Sequence, residues 1–181
     1  EAAIIWPRNP NLQKGEEEIA RLDSFEPQKA EFRVLYDRKD FRTIYKERER
    51  FKVVATDPQL EKKYMESIEL IARIDAMLAE LKSVALQDRT MGPCAAYEKL
   101  YEMKADERYS TDIKFLDEFH RYESEANNFV MALRDAEDCR SRREYGSALA
   151  GYYRARCFYP HSKLAKKGIE EVTKVIVEAT Y

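Results

Sequence analysis

The chain has 181 residues, of which 44% are apolar and 12% aromatic, enough for one domain with a substantial core. Its 32 basic and 34 acidic side chains leave a formal net charge of −2, which excludes the basic footprint of a typical nucleic-acid binder. Only five glycines and six prolines are present, against a charged fraction of 36%, where about 25% is usual. That balance excludes an all-β fold, a Gly-rich phosphate loop and a disordered linker, and points to long helices with solvated faces.

In chain order, residues 1–14 carry two prolines and no period, and read as an extended arm whose Ile4, Ile5 and Trp6 pack on the body. Residues 15–181 read as a single helical domain. Helices are expected over about 15–24 and 28–38, the second opened by Pro27. Phe41, Ile44, Tyr45, Phe51, Val54 and Ala55 predict a third over 40–55. Asp57-Pro58 caps and opens a fourth, with Leu60, Tyr64, Ile68, Ile71, Ile74, Leu78, Leu81 and Ala85 along one face. No Gly or Pro interrupts 59–91, so this segment reads as one long helix, with a hairpin left open. Met91-Gly92-Pro93 stops it, and a shorter helix follows at about 94–105.

Ser110-Thr111-Asp112 predicts a cap for the next helix. Phe115, Phe119, Tyr122, Ala126, Phe129, Leu133 and Ala136 then alternate steps of four and three, a core face packed on neighbouring helices. The chain turns around Arg140–Glu144. Tyr145, Ala148, Tyr152 and Ala155 form the next stripe, Pro160 breaks it, and Ala165, Ile169, Val172, Ile176 and Ala179 form the last, a capping helix over 162–180. No apolar run is long enough to span a membrane.

Two patterns point to repetition. Prolines 27, 58, 93 and 160 are spaced at roughly one, one and two periods of about 34 residues. Residues 38–71 also align without gaps to the segment beginning at 142. Arg38/Arg142, Leu60/Leu164, Lys62/Lys166, Lys63/Lys167 and Glu66/Glu170 are identical.

The sequence Tyr145-x-x-Ala148-Leu149-x-x-Tyr152, followed by Tyr159-Pro160-x-Ser162-x-x-Ala165-x-x-Gly168, resembles a tetratricopeptide repeat. Its Tyr-Pro-x-Ser-x-x-Ala ending is similar to the variety in bacterial cell-envelope proteins, such as outer-membrane-assembly and cell-division lipoproteins. The resemblance is best over about 129–162. It implies an all-α array of stacked antiparallel helix hairpins, a protein or peptide partner held along a groove, and a periplasmic or envelope setting, with the cytoplasm left open. In that phase Val130, Leu133, Glu137, Arg140 and Ser141 face the groove, and Trp6 of the arm is a second anchor. Cys139 stands where the repeat usually has an aromatic.

Little else carries chemistry. Asp117-x-x-His120 has carboxylate–imidazole spacing but lacks the second such pair of a di-iron bundle, so a surface ion pair is expected. Gly146-Ser147 lacks the flanking glycines of a nucleophile elbow. Cys94, Cys139 and Cys157 are an odd set: free thiols are expected, with a Cys139–Cys157 bridge open if their helices pair. The basic clusters Arg140, Arg142, Arg143 and Lys163, Lys166, Lys167 lie at helix ends and read as solvated. No catalytic residue, metal or cofactor is expected, and no nucleic-acid partner. The reading is a non-catalytic scaffold or adaptor. Its alternative is a helical-bundle subunit of an obligate homo-oligomer, and a third reading is an enzyme whose site assembles from distant helices.

Overall fold

The computed structural model describes residues 10–180, and every element among them is a helix. These are α1 (Pro10–Asp23), α2 (Glu26–Asp37), α3 (Phe41–Lys46), α4 (Arg48–Phe51), a 3-10 turn (Lys52–Thr56), α5 (Pro58–Gln87) and α6 (Gly92–Lys104). Then follow α7 (Glu107–Ser110), α8 (Ile113–Glu125), α9 (Asn127–Ser141), α10 (Tyr145–Phe158) and α11 (Lys163–Thr180). The all-α class stands. Residues 10–14, assigned to the arm from sequence, already belong to α1. Ile4, Ile5 and Trp6 lie outside the described residues.

The chain clusters into two compact units, one up to Arg73 and one from Ile74, where length and composition point to one domain over 15–181. The boundary falls inside α5, a single helix of 30 residues, so the uninterrupted segment is not a hairpin.

The first unit closes on Phe32, Ile44, Phe51, Val54, Leu60 and Tyr64, all buried. Phe32 meets Phe51 edge-on at 6.0 Å. The single helix expected over 40–55 is instead α3, α4 and the 3-10 turn. Two constraints account for the break. The Tyr64 hydroxyl donates to the Arg48 carbonyl (2.9 Å), holding the α3–α4 junction against α5. Asp57 precedes proline and is therefore pushed to extended backbone (φ −98°, ψ 112°), so the helix must end before it. The Asp57 carboxylate then accepts from Gln59 N–H (2.9 Å), as its capping role requires.

In the second unit α6 packs on α8, α9 on α10, and α11 on both α9 and α10. Gly92 lets the chain double back on α5, since a Cβ there would lie 2.6 Å from the Ala85 Cα. The Asp112 carboxylate caps α8 by accepting from Phe115 N–H (2.8 Å), as its sequence position predicts. The long stripe from Phe115 to Ala136 is buried throughout. It belongs to two helices rather than one, because Ala126 leaves helical geometry (φ −96°, ψ 23°) ahead of Asn127-Asn128, both poor helix formers. At the α9–α10 contact Ala136, Ala148 and Ala155 are fully buried, and Gly151 sits directly on Ala136.

The self-similarity in sequence has a backbone counterpart. Among the described residues the non-glycine positions with positive φ are Lys39 (59°) and Arg143 (63°), equivalent in the alignment of 38–71 with the segment from 142. The flanking bonds match as well. Asp40 N–H donates to Leu35 C=O as Glu144 N–H does to Cys139 C=O, both at 2.9 Å. Lys39 N–H donates to Tyr36 C=O as Arg143 N–H does to Arg140 C=O, again at 2.9 Å. Each is a helix C-terminal turn in which glycine is the usual residue. Lys39→Gly and Arg143→Gly are each expected to stabilise the chain by about 0.5 kcal/mol, relief of left-handed strain partly offset by a more flexible unfolded chain. Urea unfolding midpoints check this, and a lowered midpoint for both contradicts it.

Candidate functional site

The surface expected to hold a partner runs along α9 where α10 and α11 meet it. Val130 and Leu133 do not face a groove there. They are 1% and 8% exposed and form part of the core, because α9 is covered by α8, α10 and α11 together. Their place in the groove is therefore corrected. Glu137, Arg140 and Ser141 do reach the surface. Tyr152, buried on α10, donates its hydroxyl to Glu137 (2.5 Å). Arg140 pairs with Glu137 (2.7 Å) and with Glu171 of α11. Ser141 donates to the Asp138 carbonyl at the end of α9 (2.8 Å). This network ties three helices together along one exposed rim. Burial, and then the Glu137 carboxylate beside it, push the Tyr152 phenol up, so it stays protonated and serves as a donor.

At the opposite end of α10 the Tyr159-Pro160-x-Ser162 ending has visible roles. The Tyr159 ring meets Phe129 edge-on at 5.9 Å. The Ser162 hydroxyl accepts from Ala165 N–H (3.0 Å) and donates to Glu98 of α6 (3.2 Å). Glu98 also accepts from Leu164 N–H. A buried carboxylate thus caps α11 from a distant helix. Burial pushes its carboxyl above the ordinary value despite these bonds. Residue patterns did not single out Glu98; the available signal is a lone acid on the buried face between Cys94, Tyr97 and Leu100.

The remaining reactive groups are dispersed. Cys94 is buried, and burial pushes its thiol up to about 11, which disfavours the thiolate. Cys139 and Cys157 lie on paired helices, yet both are free. Cys139 accepts from Arg142 (3.6 Å), and Cys157 donates to the Tyr153 carbonyl (3.4 Å). His120 pairs with Glu123 (3.2 Å) on an exposed face, rather than with Asp117. Among the described residues no group of three or more His, Cys, Asp or Glu is placed to hold a metal. Among the same residues no helix is long and apolar enough to cross a membrane.

No protein-family model matches the chain, and no curated protein or solved structure is significantly similar to it.

Proposed function

We propose that this protein is a non-catalytic scaffold or adaptor of helical-repeat type, holding another protein or peptide along the Glu137–Arg140–Ser141 rim. The observation that carries the reading is the recurrence of one hairpin turn, at Lys39 and at Arg143, in equivalent positions of two similar segments. Duplicated hairpins are the building unit of arrays that bind along an extended face. The arrangement of α9, α10 and α11, with α11 against both partners of the preceding hairpin, supports a tetratricopeptide-like stack closed by a capping helix. The working parts of the Tyr159-Pro160-x-Ser162 ending favour the bacterial envelope variety, and with it a periplasmic or envelope setting.

The obligate-oligomer alternative needs the long apolar seams to be open in one chain. Ile71, Ile74, Leu78, Phe115, Phe119, Tyr122 and Phe129 are instead buried within a single chain. Light-scattering mass over a concentration series is therefore expected to give a monomer throughout. A stable dimer or larger form would transfer support to the oligomeric bundle.

A further inference from the structure

Two of the three thiols share one cleft of the second unit. The cleft, of about 470 Å3, is lined by Cys94 of α6, by Asn127, Asn128 and Phe129 of α9, and by Cys157 and Phe158 of α10, among others. Cys94 stands in the first turn of α6 and Cys157 in the last turn of α10. The ring of Tyr159, two residues beyond Cys157, meets Phe129 edge-on at 5.9 Å. The same tyrosine senses Cys94: burial, then Glu98, then the Cys94 thiol push its phenol up. The end of α10 and the start of α6 are therefore neighbours.

Cys139 lies elsewhere. Gly151 sits on Ala136 and Arg154 pairs with Asp135 (3.9 Å), so α9 and α10 run antiparallel. From that contact Cys157 is six residues toward one end of the hairpin and Cys139 three toward the other. At the rise of an α-helix this separates them by about 13 Å. A disulfide needs Cα atoms within about 7 Å, so the Cys139–Cys157 bridge that the sequence leaves open does not fit the hairpin.

The cleft thiols are only lightly held. Cys94 donates to the Thr90 carbonyl over a long 3.9 Å, and Cys157 to the Tyr153 carbonyl of its own helix (3.4 Å). Each sits at a helix end beside a turn, where backbone opens at little cost. We propose that Cys94 and Cys157 are a dithiol pair, which a small-molecule disulfide converts into one intramolecular bridge fastening α10 to α6 across this cleft.

Exposure sets the order of events. Cys157 is exposed and Cys94 buried, so Cys157 reacts first. Its thiolate attacks one sulfur of the small disulfide, RSSR; the S–S bond breaks and RS⁻ leaves, giving a Cys157–SR mixed disulfide. The Cys94 thiol then loses its proton and attacks the Cys157 sulfur, expelling the second RS⁻. Both leaving thiolates take up the protons lost by the cysteines, so two thiols and one RSSR become one bridge and two RSH. The pair is separate from the Glu137–Arg140–Ser141 rim and does not depend on the scaffold reading.

The test treats the folded, reduced chain with oxidised glutathione, followed by intact mass and a non-reducing peptide map. The native chain is expected to lose two hydrogens and to yield a cross-linked Cys94–Cys157 peptide. Cys139→Ser should give the same product at the same rate. Cys94→Ser should stop at a glutathione adduct on Cys157. Cys157→Ser, altered only at an exposed position, should react at Cys94 at least about tenfold more slowly than the native chain reacts at Cys157. The proposal is overturned if the native chain keeps the adduct without closing the bridge, or reacts at neither cleft thiol. A bridge that includes Cys139, or one that forms only in urea, would overturn it as well.

Discussion

Gly168→Ala is expected to lower the stability of the chain by about 2–3 kcal/mol, a large cost for one methyl group. A Cβ on Gly168 would lie 2.3 Å from two carbons of the Tyr152 ring and 2.7 Å from a third. A flexible side chain would move aside, but this ring is fully buried and its hydroxyl is held by Glu137. Either α11 lifts away or the Tyr152–Glu137–Arg140–Glu171 network is broken. Gly151→Ala meets Ala136 at 2.8 Å and should cost somewhat less, about 1–2 kcal/mol, because two helices can share the shift. Gly146 has nothing within 4 Å, so Gly146→Ala is the control, expected within about 0.5 kcal/mol of the native chain. Equal urea midpoints for Gly168→Ala and Gly146→Ala would refute the close packing of α11 on Tyr152.

Glu98→Ala should cost about 2–4 kcal/mol, while Glu98→Gln should recover most of that loss. Alanine strands the Ser162 hydroxyl and the Leu164 N–H and leaves a gap at the start of α11. Glutamine keeps a carbonyl oxygen for both donors and removes the cost of burying a charge. The pH dependence has a definite sign. Burial, with a smaller contribution from Glu102, raises the folded carboxyl above its ordinary 4.5; bonds from Leu164, Ser162 and Lys163 only partly oppose this. The folded state therefore holds this proton more tightly than the unfolded chain. The contribution of Glu98 to stability is greatest at low pH and is lost as pH rises from about 4.5 through the raised value. Denaturation of both proteins from pH 4 to 7 should show native stability falling relative to Glu98→Gln. A flat difference, or one of opposite slope, would mean that the hydrogen bonds outweigh burial.

Much of the architecture was legible because local chemistry decided it. Asp112 and Ser162 cap as their positions predict, Pro160 ends α10, and the Phe115–Ala136 stripe is buried from end to end. The misreadings share a cause. Periodicity shows which residues of a helix are apolar, but not how many neighbours cover it. Val130 and Leu133 have the repeat spacing of a groove face, but they lie on a helix that packs against three others. The break at Ala126 is one residue long and leaves the stripe in phase, so no pattern marks it. Lys39 and Arg143 occupy left-handed turns without the glycine that would signal them, and only their equivalence in the alignment hinted at a shared geometry. Glu98 was invisible because its partners lie more than 60 residues away. Tyr122 lies in the core, as its place in the stripe predicts.

The claim that this chain holds a protein partner along the α9–α11 rim is tested most directly by site-specific photo-cross-linking in the native host. A photoreactive residue is placed at the exposed rim position Ser141, and in a second chain at Tyr153, exposed on α10. The account predicts one discrete cross-linked species of a different protein from Ser141 and little from Tyr153, with the Ser141 species diminished when Glu137 and Arg140 are both replaced by alanine. Absence of a heterologous species from Ser141, or equal yields from the two positions, would contradict it.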